Sequence, residues 1–281
     1  MTDRKEELKK LFIDDRVYFI HTAKCGGSSL RGQIFAHRLE VEVERYNNQE
    51  VQVDPRSNEY WLDLTKNNLG PNKKWMDYGV IGCHQNRPEI SDHYKYIISI
   101  RNPIKRFVSA YYWKIQALET KAYGEDCPEE LEALYSWGSA NNLAEALYDD
   151  EGYLNEEADA FIEKRWTTYM NHIGMDLDYY LGHLLENIDP GQILGTIAAE
   201  TMADDLIRVL GPLSNPKVTL GHDKKNDNYP REISRKAYNN LKSYLADDYE
   251  CLRKLDSMGH ITDEQRPYLF DDIGVKIKED E

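Results

Sequence analysis

The chain has few cysteines for its length, and no two of them form a CxxC pair. Four cysteines are spread over 281 residues: Cys25, Cys83, Cys127 and Cys251. This spacing suggests neither a zinc site nor a disulfide framework. We therefore expect reduced thiols, as in a cytoplasmic protein, and no bound metal.

Long apolar runs and an excess of positive charge are also lacking. No stretch approaches the roughly 20 apolar residues of a membrane span, and residues 1–16 contain no apolar segment typical of a leader. We expect a soluble protein that is not secreted. The net charge of -15 argues against nucleic acids or anionic membranes as bulk partners.

The composition is that of a chain that can bury a sizeable core. Of its residues, 41% are hydrophobic and 30% are charged. We predict one domain over residues 1–281, with one core portion at about 17–117 and 192–230 and a helical portion at about 118–191. The oligomeric state is left open.

The most informative stretch is residues 17–31, VYFIHTAKCGGSSLR. Its apolar start predicts a strand buried on both faces of a parallel sheet. Gly26 and Gly27 allow backbone N–H groups to converge on one anion, and Lys24 adds a positive charge. We expect Ser28 or Ser29 to cap a helix whose N-terminus favours phosphate or sulfate. The alternative is a glycine turn with a solvated lysine.

Two further strands are predicted at residues 78–82 and 94–101. His84 follows the first of them, and Arg101 ends the second. A helix follows Arg101 and contains Ser109. Ligands of open parallel sheets bind at the carboxyl ends of the strands, which is where these residues fall. Taken alone, a histidine at this position is more often structural, although it is well suited to accept a proton near neutral pH.

Taken together, KCGGSS, GCH and RNPIKRFVSAYY resemble the signatures of sulfotransferases that use 3'-phosphoadenosine 5'-phosphosulfate (PAPS). The similarity is closest to the carbohydrate 2-O and 6-O branch, and order and spacing agree over residues 17–113. It implies a P-loop-like three-layer α/β/α fold, with a central parallel sheet and additional helices over the acceptor side. The implied acceptor is a hydroxyl of a carbohydrate, a glycosylated metabolite or another small molecule.

The resemblance also implies a role for each matching residue. His84 would be the general base, and Lys24 would stabilise charge on the departing nucleotide. The implied donor-binding residues are Lys24, Cys25, Gly26, Gly27, Ser28 and Ser29 at the 5' end, Arg101 and Ser109 at the 3'-phosphate, and Lys224 and Lys225 in a closing loop. For Lys224 and Lys225, a pair of surface lysines without a binding role is an equally good interpretation.

Three residues depart from the family pattern. Cys25 stands where threonine is usual, Ala23 replaces a common proline, and Asn102 replaces the usual aspartate. None of these departures removes a group with a direct chemical role. They bear on the tightness of donor binding.

Two other functions remain open on the sequence. Cys25 and Arg31 satisfy C-x5-R, the loop of thiolate phosphatases, in which a cysteine at a helix N-terminus attacks phosphate. A noncatalytic nucleotide-binding protein is the other alternative. The motif GxxxxGK[ST] of ATP-binding P-loops is absent, because Lys24 precedes the glycines.

The rest of the sequence predicts mostly helix. Residues 119–163 are rich in acid and favour a solvated helical face; if they line the acceptor cleft, they disfavour polyanionic glycans. We predict a fourth strand at 192–199, a helix at about 202–210, helix from 231 to about 256, and a frayed segment at 272–281.

Overall fold

The computed structural model describes residues 7–8, 10–11, 16–27, 30, 34, 75–77, 80–83, 87–121, 127–163, 172–211, 229–272 and 274–278, with only the backbone of 75–77 and 80–83. The chain divides into two compact units. The first, here called the sheet unit, comprises Met1–Ile100 and Glu186–Asp223. The second, the helical unit, comprises Arg101–Leu185 and Lys224–Glu281.

The sheet unit contains a five-stranded sheet. Its strands are β1 (Val17–Ile20), β2 (Trp75–Asp77), β3 (Val80–Cys83), β4 (Lys95–Ile100) and β5 (Ile193–Ala198). Their order is β2-β3-β1-β4-β5, and all neighbours run parallel except β2, which is antiparallel to β3. The predicted α/β fold, with a central parallel sheet flanked by helices, is confirmed. The edge strand β2 was not predicted.

The core of the sheet unit follows from the apolar runs of its strands. All four residues of β1 are buried, as expected for a central parallel strand. One face of the sheet packs against helical side chains and α1 (Met202–Leu210), whose bounds agree with the prediction. This core comprises Leu11, Val17, Phe19, Leu30, Ile34, Ile97, Ile197, Leu206, Val209 and Leu210.

The helical unit begins directly after β4. Its helices are α2 (Pro103–Glu119), α3 (Pro128–Trp137), α4 (Ala140–Glu145), α5 (Glu156–Glu163), α6 (Leu177–Asn187, ending in the sheet unit), α7 (Arg235–Tyr244), α8 (Ala246–Ser257) and α9 (Arg266–Leu269). The apolar spacing along α2 buries Phe107, Tyr111 and Ile115 on one side. Among the described residues, no helix is both long and apolar enough to cross a membrane.

Two predictions for the helical unit were wrong in part. The segment predicted as helix from residue 231 begins with strand β6 (Glu232–Ser234), followed by α7 and α8. The segment predicted to fray contains β7 (Lys276–Lys278), which pairs in parallel with β6. The prediction missed β7 because two of its three residues are lysines. Its central Ile277 lies opposite the buried Ile233.

Among the described residues of the acidic stretch 119–163, most acidic side chains are exposed. Asp149, Asp150, Glu156 and Glu157 are exposed, in agreement with a solvated face. Glu130, in the same stretch, is instead buried, and its Oε2 lies 3.2 Å from Nζ of the buried Lys114. This pair connects α2 with α3.

Candidate functional site

The segment after β1 forms a tight turn that leads directly into a helix. Residues 23–26 form the turn, and the Cys25 N–H donates to the Thr22 carbonyl at 3.3 Å. Gly27 is the first helical residue. The Leu30 N–H donates to the Gly26 carbonyl at 3.1 Å, which makes Gly26 the N-cap. The N-cap is therefore Gly26 and not Ser28 or Ser29, as predicted.

Two residues of this turn have a left-handed backbone. Lys24 has a φ of 65° and Gly26 a φ of 77°, and they alternate with Cys25. Turns of this kind direct neighbouring N–H groups into one concave surface, and the first N–H groups of the following helix have no partner within that helix. A turn of this geometry can bind an anion, and the half-buried Lys24 is one of its residues.

Gly27 is required because a histidine occupies the space next to it. A Cβ on Gly27 would lie 1.5 Å from Cδ2 and 1.7 Å from Nε2 of His21. The imidazole is buried and stacks on Phe19, with 5.7 Å between the ring centroids. No role for His21 was predicted from the sequence. Its position directly after a buried strand was the available signal.

Gly26 is in close contact with the start of α1. A Cβ there would lie 2.3 Å from Cε of Met202. The start of α1 is itself held by the buried Asp205, whose Oδ2 accepts from the Ala198 N–H at 2.9 Å and from the Thr201 hydroxyl at 2.7 Å. Asp205 thereby connects the end of β5 to the start of α1, where Met202 packs against Gly26 of the turn.

Ser99 connects β4 to the first part of the loop. Its hydroxyl donates to the Ile20 carbonyl at 3.1 Å and accepts from the Thr22 N–H at 3.0 Å. Ser99 and Thr22 are fully buried. Ser99 is the only polar residue of β4 between Tyr96 and Ile100, and this was the feature of the sequence that could have predicted the contact.

Cys25 faces the interior. The residue is fully buried, and its Sγ lies 3.7 Å from the Ala23 carbonyl oxygen, to which the thiol can donate. A thiolate nucleophile has to reach an anion bound at the helix N-terminus. The burial of Cys25 therefore weighs against the phosphatase alternative.

Arg101 and Ser109 belong to the helical unit, at the start of α2 and within it. Arg101 immediately precedes Asn102, the N-cap of α2, whose Oδ1 accepts from the Lys105 N–H at 3.1 Å. Pro103 at the first helical position fits this start, since it lacks an N–H that would need a partner. Arg101 and Ser109 are half-buried.

A buried arginine of α2, which lies between Arg101 and Ser109 in the sequence, anchors the helix to neighbouring segments. The Arg106 guanidinium is fully buried and donates to the carbonyls of His172 (2.8 Å), Ile173 (3.2 Å) and Met175 (3.1 Å). Its Nε lies 3.8 Å from Oδ2 of the buried Asp248. These contacts give Arg106 a structural role in this motif.

Asp248 is an acid in an unfavourable environment. Burial raises its pKa well above the usual value, and the nearby Asp176 raises it further, against the lowering effect of Arg106. Burial also raises the pKa of Asp176. The Asp178 N–H donates to Asp248 Oδ1 at 2.9 Å. Arg106, Asp176 and Asp248 thus form a buried polar cluster next to α2. Because the pKa of Asp248 is raised, the stability of the folded protein depends on pH.

The predicted site residues divide into three groups. Lys24, Cys25 and Gly26 lie in the turn and Gly27 begins the helix after it, whereas Arg101 lies just before α2 and Ser109 in its first half. The remaining predicted residues, Ser28, Ser29, His84, Lys224 and Lys225, lie outside the described residues. Over the described ranges, no group of histidine, cysteine, aspartate or glutamate side chains could hold a metal ion.

A largely parallel sheet flanked by helices, whose first strand leads through a tight turn into a helix, defines a mixed α/β protein. A protein-family model described as the sulfotransferase family matches residues 13–176, more than half of the chain and including the turn and α2. The chain belongs to the sulfotransferase family. No curated protein and no solved structure gives a match to the chain.

Proposed function

We propose that the protein transfers a sulfuryl group from PAPS to a hydroxyl of a carbohydrate, a glycosylated metabolite or another small-molecule acceptor. Membership of the sulfotransferase family supports the transfer of a sulfuryl group in general. The observation that carries the more specific proposal is the turn at residues 23–26, where left-handed Lys24 and Gly26 precede a helix that begins at Gly27.

The turn suits the 5' end of such a donor. We propose that backbone N–H groups of Gly26 and Gly27, with Ser28 and Ser29, bind the 5'-phosphosulfate, while Cys25 contributes backbone only because its thiol is buried. Lys24 would lie at the oxygen that bridges phosphorus and sulfur. A lysine there stabilises the negative charge that develops on the leaving nucleotide.

The 3'-phosphate distinguishes this donor from ordinary nucleotides. We propose that Arg101 and Ser109 bind it, because a guanidinium and a hydroxyl supply the donors that a phosphate dianion prefers. Lys224 and Lys225 are proposed as further phosphate contacts. The resemblance of the α2 motif to the family pattern supports this assignment.

His84 is proposed as the general base. As the acceptor oxygen forms its bond to sulfur, the bond from sulfur to the bridging oxygen breaks, and His84 takes the hydroxyl proton. The products are the sulfate ester and adenosine 3',5'-bisphosphate. Such in-line transfer depends on positioning and charge stabilisation, and a sulfuryl group carries less negative charge than a terminal phosphoryl group, so the mechanism needs no bridging metal.

The first test is calorimetric titration of the full chain with adenosine 3',5'-bisphosphate, with AMP and with ATP plus Mg²⁺. We expect selective binding of the bisphosphate. Arg101→Ala should abolish the selectivity, and Lys24→Ala should reduce transfer far more than binding. Lys236→Ala is the matched control, since this exposed lysine contacts Asp150 at 3.0 Å on the helical unit.

A second measurement separates the alternatives. With PAPS and a panel of sugars, His84→Ala should abolish transfer while bisphosphate binding persists. A preference for ATP, or an absence of nucleotide binding, contradicts the proposal. Phosphatase activity lost in Cys25→Ser would establish the rival function. Bisphosphate binding with no transfer to any acceptor would favour a noncatalytic nucleotide-binding protein.

A further inference from the structure

The segment that carries Asp272 is connected to the start of α2. Asn102 Nδ2 donates to Asp272 Oδ1 at 2.5 Å and to the Leu269 carbonyl at 3.4 Å. The opposite side of the same amide caps α2, because Oδ1 accepts from the Lys105 N–H. Both halves of the Asn102 side chain are therefore used, one as acceptor and one as donor.

Asp272 is the centre of a hydrogen-bond network within the helical unit. Besides Asn102, it accepts from the hydroxyls of Tyr238 (2.6 Å) and Tyr249 (3.0 Å) and from Nζ of Lys242 (2.9 Å). Burial opposes ionisation, but the hydrogen bonds from Tyr238, Lys242 and Asn102 outweigh it and lower the pKa of Asp272. The carboxylate is therefore charged at neutral pH.

This network explains why residue 102 is asparagine in this chain. Aspartate and asparagine cap helices equally well, so the cap alone does not distinguish them. An aspartate at position 102 would lose the donor and place a second carboxylate against Asp272 Oδ1. The pair of Asn102 and Asp272 keeps the cap and turns a repulsion into a charge-assisted hydrogen bond.

We infer that Asp272 is a positioning residue for the donor site: through Asn102 it sets the conformation of Arg101. This inference rests on the proposed function. Arg101 and Asn102 share a peptide plane, and Asn102 is fixed by its side-chain contacts, by Pro103 and by its carbonyl, which accepts from the Arg106 N–H at 2.9 Å. The direction in which Arg101 leaves the backbone therefore depends on the Asp272 network.

The network can be tested with two changes that preserve side-chain size and shape. Asn102→Asp keeps the cap and removes the donor. Asp272→Asn removes the charge and suits the backbone, because asparagine tolerates the left-handed φ of 55° found at this position. The double variant restores the contact in reverse, since the amide introduced at position 272 can then donate to the carboxylate introduced at position 102.

The measurement is the affinity for adenosine 3',5'-bisphosphate relative to AMP, which lacks the 3'-phosphate. Each single variant should lose about tenfold of this selectivity, the size expected when one hydrogen bond to a charged group is lost, with AMP affinity unchanged. The double variant should regain most of it. In turnover assays the KM for PAPS should rise while kcat stays close to that of the parent.

A matched control separates positioning from general stability. Tyr244 lies on α7, as do Tyr238 and Lys242, and its hydroxyl donates to Asp159 Oδ1 of α5 at 2.9 Å. Tyr244→Phe removes this hydrogen bond to a different carboxylate. It should lower the melting temperature without changing the selectivity. Tyr249→Phe, which removes one of the donors to Asp272, is the milder variant if Asp272→Asn does not fold.

The outcomes distinguish this inference from the proposed function. A parent protein with no selectivity for the bisphosphate overturns the proposed function and, with it, this inference. A selective parent whose Asn102→Asp, Asp272→Asn and Tyr249→Phe variants keep full selectivity, and lose only melting temperature as Tyr244→Phe does, overturns the positioning role alone. Loss in the single variants with recovery in the double variant supports it.

Discussion

Replacing Gly27 by alanine should disrupt the turn at residues 23–26. The new Cβ would lie 1.5 Å from Cδ2 and 2.5 Å from Cγ of His21, whereas ordinary contacts begin at 3.4 Å. The imidazole would have to move by about 2 Å, since the difference between those distances has to be recovered. It is buried, and Phe19, on which it stacks, is fully buried as well.

Overpacking of a filled interior typically costs about 1–3 kcal/mol, and the size of this overlap places Gly27→Ala at the upper end, about 3 kcal/mol. Urea unfolding monitored by fluorescence measures this cost, and calorimetry should show at least about tenfold weaker bisphosphate binding because the turn is displaced. Gly191→Ala is the matched control in the same unit: its Cβ would meet only Asp189, with Oδ1 at 3.3 Å. We expect a change within about 0.5 kcal/mol there.

A double-mutant cycle tests whether His21 is the cause. Gly27→Ala combined with His21→Ala removes the ring that the new methyl group would strike. The double variant should therefore be less destabilised than the sum of the two single variants, by about 1–3 kcal/mol. Strict additivity, or a Gly27→Ala protein with the urea midpoint and bisphosphate affinity of the parent, would refute the assignment of Gly27 to this contact.

Two further predictions concern the supports of the turn and of α2. Ser99→Ala leaves the buried Thr22 N–H without its hydroxyl acceptor and should lower the free energy of unfolding by about 1–3 kcal/mol, whereas an unchanged urea midpoint would contradict this contact. The raised folded-state pKa of Asp248 means that its contribution to stability is complete below the unfolded pKa of about 3.9 and is lost as the pH rises through the folded value. Asp248→Asn should remove that loss in urea titrations at several pH values, and an unchanged pH profile would show that Asp248 is not its source.

Much of the sheet unit could be predicted from residue patterns. Buried parallel strands consist of nearly continuous apolar residues, so β1, β4 and β5 were found within one or two residues of their bounds. Their chain order and the position of the turn after β1 follow from the same local pattern. The turn was recognisable because its lysine, its glycines and the start of the following helix are adjacent in the sequence.

Contacts between residues far apart in the chain were not accessible in this way. Ser99 and Thr22 are 77 residues apart, and Asn102 and Asp272 are 170 residues apart. β7 was missed because its charged ends resemble a frayed segment and its pairing depends on a strand distant in the chain, with Ile233 of β6 opposite Ile277.

The sequence by itself determined the class of fold and the position of the glycine turn after β1, because strand burial and glycine conformation are local properties of the chain. Only the tertiary structure decided which groups support that turn and the start of α2. His21 against Gly27, Ser99 at Thr22 and Asp272 at Asn102 are hydrogen bonds or close contacts whose partners are brought together by folding. Their energies depend on distances of a few ångströms that no spacing in the sequence encodes.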